Sequence, residues 1–174
     1  MADQEPAAGS NGSGTNETDP QVSVLAQYVK DLSVENPRAP ESFQWRDTPQ
    51  TDVQFNIGSQ KINDEITEVE LKVTINSKTA QGTAYIVDLS YCGLVGMRNL
   101  AEDQAHAFTF AEAPRILFPF ARRVIADAVR DAGFAPLMLD PIDFNGLYVQ
   151  RLQAQQQRGQ DAGGAPVPTG EGQG

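Results

Sequence analysis

The chain has 174 residues, 40% of them hydrophobic and 7% aromatic, which suits one domain with a modest core and polar tails. Its net charge of −10, from 23 acidic and 13 basic residues, argues against nucleic-acid binding, where phosphate contacts need a basic face, and favours solubility and basic partners. The single cysteine, Cys92, excludes an internal disulfide and suits a reducing compartment. No apolar run reaches the roughly eighteen residues of a membrane span, and the first twenty residues lack the basic and apolar regions of a secretory signal.

Residues 1–20 are polar and low in complexity, with four acidic residues and none basic; they are expected to be a disordered tail. Residues 158–174, rich in Gly, Gln and Pro, are expected to be a second one. The ordered body is 21–157, without an internal repeat. Its first element alternates. Val22, Val24, Ala26, Tyr28, Leu32 and Val34 share one face, with Lys30 the exception. Ser23, Gln27, Asp31, Ser33 and Glu35 share the other, joined by Leu25 and Val29. This is a strand with one buried face. Asn36-Pro37 and Ala39-Pro40 break it, and a long connection carrying Phe43 and Trp45 follows.

Val53, Phe55 and Ile57 alternate with polar neighbours as a second strand. Val69, Leu71, Val73 and Ile75 alternate with Glu68, Glu70, Lys72 and Thr74 as a third. In the fourth, 83–92, Tyr85, Val87, Leu89 and Tyr91 oppose Ala84, Ile86, Asp88, Ser90 and Cys92. Short polar links predict antiparallel pairing of the last three, and the long link predicts a Greek-key return of the first.

The period then changes. Leu94 to Gly96 reads as a bend and 99–110 as a short helix. Pro114 suits a helix N1 position and Gly133 a helix stop. Between them Leu117, Phe120, Ala121, Val124 and Ala128 form a stripe, widened by Ile116, Phe118, Ile125 and Val129. A helix this apolar packs on two surfaces, its own sheet and a neighbouring subunit, and Pro119 predicts a kink. Asp140-Pro141 opens a last element. Asp143 is its expected N-cap, Phe144, Leu147, Tyr148 and Leu152 share a face, and the helix fades near 155–157. The fold class is α+β: a four-stranded antiparallel, Greek-key-like sheet with helices packed on one face.

If the apolar sets face the helices, the other sheet face carries Asp31 and Glu35, Glu68 and Glu70, and Ile86 and Asp88. Like charges this close repel by roughly a few tenths of a kcal/mol per exposed pair, which a basic partner would relieve. An ordinary solvated face is the competing reading. Catalytic patterns are absent: there is no Gly-rich phosphate loop and no GxGxxG, and one cysteine with one histidine, His106, permits neither CxxC nor HExxH. A Cys92–His106 nucleophile pair competes poorly with a buried small residue and a surface histidine. Asp127 with Asp131, and Glu102 with Asp103, read as solvated carboxylates.

From Tyr28 to Leu152 the chain resembles the SecB family of protein-export chaperones. The resemblance rests on Tyr28, Lys30-Asp31-Leu32-Ser33, Glu35-Asn36-Pro37 and Ala39-Pro40, on Glu68 to Thr74, and on Pro141 to Phe144 with Leu147-Tyr148. Its most specific piece is Ile116-Leu117-Phe118-Pro119-Phe120-Ala121-Arg122. Two places depart: Trp45 lies only two residues after Phe43, and the bend after the fourth strand reads Tyr91-Cys92-Gly93-Leu94 where the family often has paired glycines.

The resemblance implies a cytoplasmic homotetramer, a dimer of dimers. Such a particle holds unfolded precursor proteins without ATP or cofactor and passes them to the SecA translocation ATPase, without inserting into the membrane. SecA docking falls on Asp31, Glu35, Ile86 and Asp88; the zinc of SecA's basic tail belongs to the partner. The client groove falls on Phe43, Trp45, Phe144, Leu147 and Tyr148, for broad capture of extended chains, with plain core packing the competing reading for Phe144 and Leu147. Leu117, Phe120 and Val124 form the packing and assembly helix. Two alternatives remain: a SecB-like chaperone dedicated to one partner such as an antitoxin, and a small α+β enzyme or ligand carrier built around Tyr91, Cys92 and His106.

Overall fold

A computed structural model of the chain describes residues 18–162. The expected tails therefore lie outside the described residues, except for 18–20 and 158–162. Strands β1 (Gln21–Glu35), β2 (Gln50–Lys61), β3 (Ile66–Thr79) and β4 (Gly82–Arg98) form one antiparallel sheet in the order β1-β4-β3-β2. β2, β3 and β4 are a meander. The connection over 36–49 carries the chain from one edge of the sheet to the other, which gives the expected Greek-key return.

β1 departs from simple alternation. Its register with β4 shifts between Val24 and Ala26 and again between Val29 and Asp31, so Leu25 and Lys30 are bulge residues. Each bulge reverses the pleat. Between them Ala26 and Tyr28 move to the face away from the helices, while Gln27 and Val29 turn toward it, opposite Gly93 and Tyr91. Beyond Lys30 the two reversals cancel, and Asp31, Ser33 and Glu35 lie where alternation puts them.

β4 is also longer than expected and has no bend at 94–96. Its glycines are sites of close approach. A Cβ on Gly93 would stand 2.8 Å from a Leu117 methyl, and one on Gly96 would stand 3.1 Å from Ser23 Oγ.

The helices follow end to end. α1 (Glu102–Ala107) runs through a π-helical turn (Phe108–Glu112) into α2 (Ala113–Asp131). Pro114 therefore does not start an independent helix. It has no N–H and its ring crowds the carbonyl four residues back; the wider turn, in which Ala113 N–H reaches Phe108 O, accommodates both. Gly133 ends α2 as expected, with φ +94°. Its N–H donates to Arg130 O, and Phe134 N–H donates to Val129 O, the paired bonds of a Schellman ending.

The sheet-facing row of α2 is Leu117, Ala121, Ile125 and Val129, with Phe118 beside it, all buried. Phe120 and Val124 precede this row by one residue and are turned about 100° from it; Phe120 is 43% exposed. The expected stripe is thus rotated. α3 (Phe144–Ala162) starts on the expected cap, with Gly146 N–H donating to Asp143 Oδ1 at 2.9 Å, and continues past the glutamine run. The core lies between α2 and the Val69, Leu71, Val73, Ile75, Val87 and Leu89 side chains, each worth roughly 1.5–3 kcal/mol when fully buried.

Candidate functional site

The register assembles the face away from the helices row by row. Glu35 lies opposite Ile86, Ser33 opposite Asp88, and Asp31 opposite Ser90. Asp31, Glu35, Ile86 and Asp88 therefore form one patch on neighbouring strands. Thr74 Oγ1 donates to Asp88 Oδ1 at 2.7 Å, which orients that carboxylate. Among the described residues, Asp31 and Glu35 make no side-chain hydrogen bond or ion pair, so their charges face solvent uncompensated.

The rest of the face is less acidic than alternation suggested. Lys72 lies opposite Ser90 in the row of Asp31. Glu68 is 11% exposed and pairs with Lys30 Nζ at 2.6 Å; Tyr28 OH also donates to it. These partners reach Glu68 across β4 because the Lys30 bulge and the reversed pleat bring them to this face. Lys30, then Tyr28, hold the Glu68 carboxyl below its ordinary range, while the bond to Glu68 raises Lys30. Its own hydrogen bond to Glu68, helped by burial, pushes Tyr28 up to about 12.

Cys92 lies opposite Tyr28. Burial, then the charges of Glu68 and Glu70, push its thiol up to about 11, so it is protonated and a poor nucleophile at neutral pH. His106 is on the helix side, where Nδ1 is 2.8 Å from Tyr148 OH and the ring packs on Phe110. Tyr91 turns toward the helices and Cys92 away from them. The structure does not gather these three residues into one pocket.

On the helix side, the five expected groove residues divide between two depressions. Phe43 and Trp45 line one of about 420 Å³ with Ser42, Ala84, Gly133 and Phe134. Phe43 is 52% exposed. Its ring lies 5.5 Å from Phe134, which lies 4.9 Å from Tyr85. Phe144, Leu147 and Tyr148 line the other, of about 180 Å³, with Phe55, Ile57 and Phe110. Phe144, 2% exposed, is core and forms the floor, edge-on to Phe118; Leu147 is 46% exposed.

Two polar residues at the first depression, Asn36 behind it and Ser42 in its lining, carry no site role in the sequence. Asn36 Nδ2 donates to Ala132 O at 3.3 Å, and Ser42 Oγ donates to Asn36 Oδ1 at 3.0 Å. Nothing in an Asn-Pro strand break signals a partner 96 residues away. Further apolar side chains have no cover: on the helix side of β1, Val22, Val29 and Leu32 are each 40–42% exposed, as is Phe120 of α2 at 43%, while Leu25, 54% exposed, lies on the other face beside Gly96. Among the described residues there is no group of acidic, His or Cys side chains able to hold a metal, and no helix is long and apolar enough to cross a membrane.

Comparison with known proteins gives these surfaces a context. A family model described as preprotein translocase subunit SecB matches residues 15–155. The protein-export protein SecB of Erythrobacter litoralis is 59% identical over 97% of this chain and 93% of its own length. That of Novosphingobium aromaticivorans is 66% identical over 80% of this chain and 81% of its own. Among solved structures, a SecB-like chaperone from Mycobacterium tuberculosis, in complex with a peptide from an antitoxin, superposes with a TM-score of 0.59 at 15% identity, over 70% of this chain and 90% of its own; that likeness is one of fold. By the extent of these matches, the chain belongs to the SecB family.

Proposed function

We propose that the chain is an ATP-independent molecular chaperone that holds unfolded precursor proteins in a translocation-competent state and delivers them to the SecA motor for export. The observation that carries this reading is the two-sided sheet: an acidic patch of Asp31, Glu35 and Asp88 around Ile86 on one face, and apolar depressions on the other. Extended clients bind by burying apolar side chains against Phe43, Trp45, Leu147 and Tyr148, with Phe144 beneath them. The uncompensated carboxylates attract a basic partner segment, and Ile86 supplies an apolar contact among them.

The chaperone works in the cytoplasm as a homotetramer, a dimer of dimers. The exposed Val22, Val29 and Leu32 of β1, together with Phe120, support assembly, because exposed apolar area of this kind is buried in oligomers. Service to one dedicated partner is less well supported: the acidic patch is intact, and the antitoxin-bound relative shares the fold at low identity. The raised Cys92 thiol, on the opposite side of the sheet from His106, argues against a Cys92–His106 nucleophile pair.

The test is charge reversal. A chain carrying Asp31→Lys, Glu35→Lys and Asp88→Lys is expected to lose SecA docking while retaining its affinity for an unfolded client. Equal loss of both would show that the face serves the fold and not the motor.

A further inference from the structure

We propose that Asn36 is the positioning residue of the Phe43–Trp45 depression. The proposal rests on the reading of that depression as a client surface. Asn36 is the first residue after β1, and Pro37 restricts it to an extended backbone. Its side chain uses both ends. The amide Nδ2 donates to Ala132 O, one of the carbonyls a helix C-terminus leaves without a partner. The Oδ1 accepts from Ser42 Oγ, and Ser42, buried, also donates its N–H to Arg38 O at 2.8 Å.

The next residue on each side completes the arrangement. Phe43 follows Ser42 and Gly133 follows Ala132, and the Phe43 ring lies so close over Gly133 that a Cβ there would stand 2.7 Å from Cε1. One amide thus fixes the turn that delivers Phe43 and Trp45 to the end of the helix that forms the opposite wall. Phe43 itself is half exposed, so its own packing holds it weakly; the polar pair beneath sets its place. Because Asn36 directly follows Glu35, the depression hangs from the strand end that carries the acidic patch.

Trp45 is the only tryptophan, so its emission and its quenching by acrylamide report on this depression alone. Asn36→Ala is the test variant, Ser42→Ala removes the other half of the link, and Asn63→Ala is the control. Asn63 caps the β2–β3 link through Glu65 N–H and Ile66 N–H, far from the depression. The probe is an end-blocked, uncharged peptide rich in leucine and phenylalanine. Asn36→Ala is expected to raise Trp45 quenching and weaken the peptide about tenfold, the scale of losing one or two partly buried hydrogen bonds. Ser42→Ala in that background should add little, because both act through one link. Asn63→Ala should lower the unfolding midpoint and leave quenching and affinity unchanged. If Asn36→Ala matches the parent in quenching, or shifts it only as Asn63→Ala does, the proposal is overturned. A parent chain that ignores the peptide would sink the client-surface reading, and the quenching comparison would still decide the role of Asn36.

Discussion

Gly93→Ala places a methyl group where α2 meets β4. The added Cβ would stand 2.8 Å from Leu117 Cδ2 and 3.4 Å from Cδ1, and Leu117 is 1% exposed in a row fixed by Ala121 and Ile125. The leucine must shift or the helix must lift. Overpacking of this kind costs about 1–3 kcal/mol. Losing a glycine from the unfolded chain returns about 0.4–1 kcal/mol, so the net loss should fall between zero and about 2.6 kcal/mol. Leu117→Ala alone should cost about 3–5 kcal/mol through the cavity it leaves. In that background Gly93→Ala fills part of the cavity and should stabilise the chain. The sign of one substitution therefore reverses with the state of its neighbour. Urea unfolding of the four chains at one fixed concentration measures this cycle. The same loss from Gly93→Ala in both backgrounds would refute the close approach of α2 to β4.

The Tyr28–Lys30–Glu68 cluster predicts two limbs in a pH–stability profile. The depressed Glu68 carboxyl stabilises the fold above its unfolded value near 4.5, and that contribution is lost as pH falls through the folded value. Tyr28, raised from 10.0 to about 12, contributes fully below about 10 and loses its contribution as pH rises toward 12. Glu68→Gln should flatten the acid limb, and an unchanged acid limb would show that the cluster does not stabilise the fold. Phe120→Asp should lower the assembled mass on a sizing column with the secondary structure intact, whereas a fully assembled variant would contradict the assembly role. Asp143→Ala should destabilise the chain by about 1 kcal/mol through loss of the α3 cap, read as a drop in unfolding midpoint.

The strands and the acidic patch were legible because period-2 alternation survives wherever one face is buried, as it does through Val69 to Ile75. Asp31, Glu35, Ile86 and Asp88 could be placed together because the two bulges of β1 cancel before Asp31. Between the bulges the same reasoning misplaces Ala26, Tyr28 and Val29, since a bulge leaves no mark on local composition. The Glu68 pair was missed for that reason, and Glu68 was counted as a free charge. Gly93 and Gly96 read as a bend because glycine signals both turns and close approach, and only the Leu117 methyl over Gly93 and Ser23 Oγ over Gly96 distinguish them. Caps with local partners, Asp143 and Gly133, are legible, whereas the bond from Asn36 to Ala132, 96 residues away, is not.

Chaperone activity without nucleotide is most directly tested by diluting a chemically denatured protein into buffer containing the purified chain and following light scattering. A holding chaperone predicts suppressed aggregation that saturates at fewer than one client per chain, is unaffected by ATP, and weakens when Leu147 is replaced by serine. Undiminished aggregation by a folded, assembled chain would contradict the proposed function and leave the family relationship as one of fold and sequence alone.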